Sequence, residues 1–113
     1  MTDGNNNTSV GLNQNVAGLL CYVLGFITGI IFLIIEKENK FVRFHAMQSL
    51  VTFLPLSIIS YIVGIIPFIG GILTFVIGIL QLILWIVLMY NAYKNEWFKL
   101  PVTGDIAEQQ ISK

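Results

Sequence analysis

The sequence predicts an all-α membrane protein, a bundle of three transmembrane helices with a charged interfacial loop after the first. Three observations carry this. From Phe44 to Tyr93 the chain runs for 50 residues without Asp, Glu, Lys or Arg. A single helix of that length would measure ~75 Å against a bilayer hydrocarbon core of ~30 Å, so the run must reverse once. A second stretch, Val16–Ile35, holds 20 residues without a charge and fits one crossing. Finally, the chain is 56% hydrophobic and 11% charged. A soluble domain carries ~25% charged residues, so too little polar surface remains to cover a water-soluble globule.

The elements follow in chain order. Residues 1–15 are rich in Asn, Ser, Thr and Gly and hold too few apolar side chains to order themselves, which predicts a mobile tail. The first helix is expected over 16–35. No Lys or Arg precedes it and no A-x-A-like site follows it, so it reads as a retained helix rather than a cleaved signal peptide. The charged stretch Glu36–Arg43 comes next, then a second helix over 44–66. Pro67 and the Gly70-Gly71 pair mark a tight reversal. A third helix is expected over 69–90, so that the membrane domain occupies 16–93. The remainder, 94–113, is a polar tail in which Trp97 and Phe98 anchor at headgroup level and a short helix forms around 105–111.

Charge sets the expected orientation. Lys and Arg occur only at 37, 40, 43, 94, 99 and 113. With three crossings both clusters fall on one side of a cell membrane, and the positive-inside rule places the N-terminus outside and the C-terminus in the cytoplasm. An even number of crossings is expected to bring the termini together and lose this agreement.

Each helix carries small or weakly polar residues on one side: Ala17, Cys21, Gly25 and Gly29 in the first, Ala46, Ser49, Ser57, Ser60 and Gly64 in the second, Gly70, Thr74, Gly78 and Gln81 in the third. Helices in lipid associate through such residues, either within this bundle or between copies of the chain. Gln81 falls near the midplane, with Thr28 and Ser57 at similar depth. These residues and Thr74 are candidates for interhelical hydrogen bonds, worth about 0.6 kcal/mol on average, or for the polar lining of a conduit.

Enzymatic chemistry finds no footing. The sequence holds no Ser/His/Asp or Cys/His spacing, no phosphate-binding Gly loop and no paired carboxylates in an apolar run, so no catalytic residue is assigned. One His and one Cys do not make a metal ligand set, and no cofactor is expected. A net charge of zero argues against nucleic acid. His45 beside Arg43 reads as an interfacial hydrogen-bonding anchor, and Cys21 as a packing residue. Leu100-Pro101-Val102-Thr103-Gly104 fits the L-P-x-T-G sorting pattern, but no apolar span and basic tail follow it, so it reads as a Pro turn.

The segment Glu36-Lys37-Glu38-Asn39-Lys40-Phe41-Val42-Arg43-Phe44-His45-Ala46-Met47-Gln48-Ser49 resembles a signature of small prokaryotic membrane proteins of unknown function, related to the Tic-type import component of the chloroplast inner envelope. Asn15–Tyr22, Tyr93–Trp97 and Gly104–Ala107 also look like this family. The resemblance implies a multi-pass membrane protein, and it makes Glu36, Asn39, Phe41, Arg43, Phe44, His45 and Gln48 the candidate motif and partner-binding residues. Arg43 is expected to meet headgroup phosphates, Phe44 to anchor in the interface and Gln48 to bond across helices. The function expected is a non-enzymatic scaffold or accessory subunit in protein translocation or membrane-complex assembly. The alternative is a small homo-oligomeric pore or transport component, the pore lined by Gln81, Thr74 and Ser57. The expected partners are the lipid bilayer, another membrane protein and further copies of the chain.

Overall fold

The structure, a computed structural model, describes Thr8, Ser9 and residues 11–112. It places five helices in that range: α1 (Gln14–Val23), α2 (Phe26–Ile35), α3 (Lys40–Gly64), α4 (Gly70–Tyr93) and α5 (Thr103–Ser112). Two of these, α3 and α4, are long and apolar enough to cross a membrane. At 1.5 Å per residue each is about 36 Å long. Neither helix of the first apolar run reaches that length, so the expected helix over 16–35 needs correction.

The run 16–35 is not one helix. It breaks at Leu24-Gly25, where Gly25 takes φ +63° and ψ −137°, a conformation open to glycine and strained for residues with a Cβ. The two halves form a hairpin whose ends meet at one end of the molecule. Near the start of α1, Gln14 Nε2 donates to Asn95 Oδ1 (2.9 Å), Asn15 Nδ2 donates to the Tyr93 carbonyl (3.0 Å), and Gln14 Oε1 accepts from Asn39 Nδ2 (3.0 Å). The chain leaves α2 at Glu36, beside the same Asn39. The tip of the hairpin lies against the middle of α3, with Ser49 Oγ donating to the Gly25 carbonyl at 2.8 Å.

A helix break strands backbone groups that lipid cannot satisfy. Side chains take them up here. Thr28 Oγ1 accepts from Leu24 N (3.2 Å) and lies 3.1 Å from the Cys21 carbonyl and 3.3 Å from that of Gly25, within donating distance of both. Trp85 Nε1 donates to the Tyr22 carbonyl at 2.7 Å. Thr28, expected to bond between helices, thus works inside its own hairpin. The stripe Ala17/Cys21/Gly25/Gly29 is split with it. Ala17, Cys21 and Gly29 are buried, and a Cβ on Gly29 would stand 2.7 Å from the Ala46 carbonyl, so α2 and α3 touch backbone to backbone there. Gly25 makes the turn instead.

The remaining ends follow from local chemistry. Asn39 caps α3 by accepting from Val42 N at 3.0 Å. Arg43 Nη1 donates to the carbonyls of Leu33 (3.1 Å) and Glu36 (2.7 Å), placing a cation at the C-terminus of α2. Pro55 sits inside α3 without ending it. Between α3 and α4 the left-handed residue is Phe68 (φ +71°), not a glycine. Gly70 is needed for close approach, since a Cβ there would lie 2.7 Å from the Val63 carbonyl. After α4, Asn95 takes φ +63°, with its N–H on Ala92 O (3.0 Å) and Glu96 N on Asn91 O (2.9 Å), a Schellman ending.

The core sits at the end of the molecule where α1, α2, the first half of α3 and the last turns of α4 meet. Tyr22, Val42, Ala46, Leu88 and Ala92 are all fully buried there. The other end is the bare α3–α4 hairpin, and most of its large apolar residues from Ile58 to Phe75 are exposed. The N-terminal segment departs from the expected mobile tail, whereas the short helix expected near the C-terminus is α5. Ser9 is tied down through N and Oγ to the Glu36 carboxylate, each at 2.7 Å; residues 1–7 and 10 of the expected mobile tail lie outside the described residues. The C-terminal segment is held too: 96–100 lies along α3, and α5 packs against α3.

Candidate functional site

The motif-bearing face of α3 points inward, and its polar groups form one connected chain. His45 Nε2 lies 2.9 Å from the Glu96 carbonyl, which can only accept, so Nε2 carries the proton. Nδ1 is then an acceptor, and the Tyr22 hydroxyl 2.6 Å away donates to it. The Tyr22 oxygen in turn accepts from Gln48 Nε2 at 2.9 Å. The second Gln48 amide proton goes to the Phe98 carbonyl (3.0 Å), and Oε1 accepts from Leu100 N (2.8 Å). Each tautomer and amide orientation is fixed by a backbone group with no alternative role. A neutral imidazole with both nitrogens engaged, a phenol with its proton committed and a saturated amide leave nothing free to attack or deprotonate a substrate.

Aromatic rings wall this network. Phe41 and Phe44 lie edge-on to His45, at centroid distances of 4.5 and 5.1 Å. Trp97 covers them from outside, 5.5 Å from Phe41 and 5.2 Å from Phe44. Phe44, expected to anchor in the membrane interface, is fully buried, whereas Trp97 is half exposed. Farther along α3, Thr52 Oγ1 and Thr103 Oγ1 pair at 3.0 Å at the start of α5. On the outer surface Lys99 bridges Asp105 (3.4 Å) and Glu108 (2.9 Å); both pairs are solvated and contribute little to stability.

Glu36 is a second, smaller centre. Burial pushes its carboxyl up, but hydrogen bonds from Asn39 N, Ser9 Oγ, Glu38 N and Ser9 N outweigh this and hold it below the usual carboxylate range. The carboxylate gathers the N-terminal segment and the start of α3 into one corner, where Asn39 and Arg43 also act.

The structure therefore brings together Glu36, Asn39 and Arg43 in one cluster and Phe41, Phe44, His45 and Gln48 in another. All seven serve contacts inside the chain. Thr28, Ser57, Thr74 and Gln81 form no such group. Thr74 Oγ1 donates to the Ser60 carbonyl at 3.3 Å across the α3–α4 hairpin. Ser57 and Gln81 face an open cleft of about 340 Å³ between α3, α4 and the tip of the α1–α2 hairpin. Sequence reasoning passed over Tyr22 and Trp85. A buried Tyr hydroxyl or Trp N–H in an apolar run needs a partner, and that need was the signal available.

A protein family described as the magnetosome magnetite crystal formation protein family, MamF/MmsF, matches residues 5–107. The chain is 56% identical over 102 residues to a UPF0132 membrane protein of Methanocaldococcus jannaschii, covering 90% of this chain and 92% of that protein. It is 55% identical over 100 residues to a UPF0132 membrane protein of Archaeoglobus fulgidus, covering 88% and 97%. A second M. jannaschii protein of that group is 52% identical over 101 residues, 89% of this chain and 72% of the relative. No solved structure matches. The expectation of small prokaryotic membrane proteins of unknown function holds; the expected link to a Tic-type import component finds no support in these relatives.

Proposed function

The chain belongs to the MamF/MmsF family of membrane proteins, and from that premise we propose that it is a non-enzymatic membrane scaffold whose two spans carry a rigid platform at one membrane surface. The observation that supports this is the closed network of Tyr22, His45, Gln48 and the 96–100 backbone, in which the two buried polar side chains His45 and Gln48 of the motif are committed to bonds inside the chain. The family's description refers to magnetite. Among the described residues no three of His, Cys, Asp and Glu gather to hold a metal ion, and the proposal takes from the family its membrane setting and not the mineral. Crosslinking and affinity capture from native membranes test the reading. A defined membrane-protein partner recovered in stoichiometric yield is the expected result; recovery of this chain alone would overturn it.

The scaffold reading carries a topology with it. The start of α1, the 36–43 loop and the 94–99 segment share one end of the molecule, and the uncharged reversal 65–69 lies at the other. Two crossings then place all the described Lys and Arg on a single side. The charge agreement that an even number of crossings was expected to lose is kept, because the first apolar segment goes in and returns. The positive-inside rule makes both termini cytoplasmic. On a Cys21→Ser background, cysteines at Leu12 and Gln110 are expected to label from the cytoplasmic side and one at Phe68 from the opposite side. Labelling of Leu12→Cys from outside would restore a three-crossing chain.

A further inference from the structure

We propose that the cleft at Gln81 is a binding site for an isoprenoid quinone, a flat ring with two carbonyls on an apolar tail. The proposal rests on the membrane setting of the family and is independent of any partner of the platform. Gln81 lies midway along α4, about 18 Å from either end at 1.5 Å per residue, and so within the hydrocarbon of a two-span chain. Its side chain is half buried and makes no hydrogen bond to any described residue. The same is true of Ser57, which lines the cleft from α3. Water is absent at that depth and lipid tails offer no acceptor, so an amide and a hydroxyl face one space with their protons uncommitted.

The walls say what kind of molecule answers them. Gly78, Gln81 and Trp85 share one face of α4, and Phe53 and Ser57 share one face of α3. Phe26, at the tip of the α1–α2 hairpin, adds a third ring beside Phe53 and Trp85. The indole of Trp85 is held in place by its bond to the Tyr22 carbonyl at 2.7 Å. The space measures about 340 Å³, within the range of about 300–1,000 Å³ typical of small-molecule sites, which are likewise mostly apolar with a few placed polar groups. Three aromatic side chains suit a flat ring. Two donors on opposite walls suit a ring with an acceptor on each of two edges, and the carbonyls of a quinone stand on opposite edges. Phospholipid carbonyls are tethered near the headgroups, about 15 Å from the midplane, and do not reach this depth. A quinone has no charged headgroup to hold it at the surface. Gly78 leaves room for the ring, since a Cβ there would meet nothing within 4 Å, and the cleft is open at its side, so the ligand enters from the lipid.

Trp85 supplies the readout, because a quinone in contact with an indole quenches its fluorescence. The sequence holds two tryptophans, at 85 and 97, so Trp97→Phe leaves one reporter, in the cleft. Decylubiquinone is titrated into phosphatidylcholine nanodiscs holding the full chain with that change, alone and with Gln81→Leu, Ser57→Ala or Gly78→Leu added. Saturable quenching is expected. Its half-point should rise about tenfold in Gln81→Leu and about threefold in Ser57→Ala, the range spanned by single hydrogen bonds away from water. In Gly78→Leu, whose added side chain enters the cleft without meeting the rest of the fold, it should rise at least about tenfold. A second measurement needs no change in the cleft. The dimethyl ether of the matching hydroquinone has the same ring and no carbonyl, and it should displace the quinone only at about ten times the concentration that a second, non-quenching quinone analogue needs. Quenching that grows in proportion to added quinone without saturating means partition into lipid only and overturns the proposal. So does an unchanged half-point in Gln81→Leu or in Gly78→Leu, or a dimethyl ether that competes as well as the carbonyl-bearing ring.

Discussion

Replacing Gln48 with Leu should unlock the C-terminal segment from α3. Gln48 makes three hydrogen bonds, to Tyr22 (2.9 Å), Phe98 (3.0 Å) and Leu100 (2.8 Å). Each is worth about 1 kcal/mol net. Leucine of similar volume keeps the packing but removes all three, and it strands the buried Leu100 N–H, which alone costs roughly 1–3 kcal/mol. The segment can recover part of this by swinging out to water, so the loss is limited to what holds it down. A working figure is about 3 kcal/mol, or on the order of a 100-fold rise in the open population. Amide hydrogen exchange in nanodiscs measures this directly at Leu100, because exchange reports the opening of that bond. Gln48→Glu sharpens the test. Its carboxylate still accepts from Leu100 N, but it faces the Phe98 carbonyl with a lone pair, and the one Tyr22 proton is committed to His45. It should open the segment as well, despite nearly unchanged shape. Exchange at Leu100 within threefold of wild type in Gln48→Leu would refute the reasoning, and protection retained in Gln48→Glu would show that shape rather than bond polarity holds the segment.

Other outcomes follow from the same geometry. Gly29→Ala should destabilise by about 1–3 kcal/mol, because its Cβ would fall 2.7 Å from the Ala46 carbonyl; Gly71→Ala, which meets nothing within 4 Å, should be neutral or slightly stabilising, and thermal unfolding in detergent separates the two. Gly25→Ala should cost roughly 1–3 kcal/mol for backbone strain alone at φ +63°, readable in the same assay as a lowered midpoint. Because the Glu36 carboxyl is held below its ordinary range, its contribution is fully present above that range and is lost as the pH falls through the lowered value. Acid should therefore release Ser9, seen as loss of exchange protection at its amide, and Glu36→Gln should remove that acid-dependent step.

The two long helices were legible because nothing interrupts them: α3 and α4 fall within a few residues of the expected ranges, and Pro67 with Gly70 marks their reversal. The break at Gly25 was not legible. A glycine in an apolar run reads equally as a packing residue, and what selects the turn is tertiary: Ser49 from α3 and Trp85 from α4 meet the carbonyls that the break releases. The motif stood out as a pattern, but whether His45 and Gln48 face a partner or the interior depends on a segment about 50 residues downstream, and spacing along the chain does not report that pairing. Gln81 was legible as an oddity from its polarity alone; that it faces an open cleft and meets no hydrogen-bond partner among the described residues needed the structure.

The molecule is much broader at one end than at the other. At the platform end α1, α2, α5 and the 96–100 segment surround the α3–α4 pair, whereas at the far end that pair stands alone. In the proposed two-span arrangement, with each helix about 10 Å across, α1 and α2 join the α3–α4 pair in one leaflet, which then accommodates roughly twice the protein cross-section of the opposite leaflet. A chain of this shape is a wedge. It relieves lateral pressure when the leaflet holding its broad end is stretched, and it adds stress when that leaflet is compressed. In the proposed orientation, with both termini cytoplasmic, it should accumulate where the membrane bulges toward the cytoplasm and thin out where it curves away, so its distribution between flat vesicles and narrow tubules becomes a property of its fold.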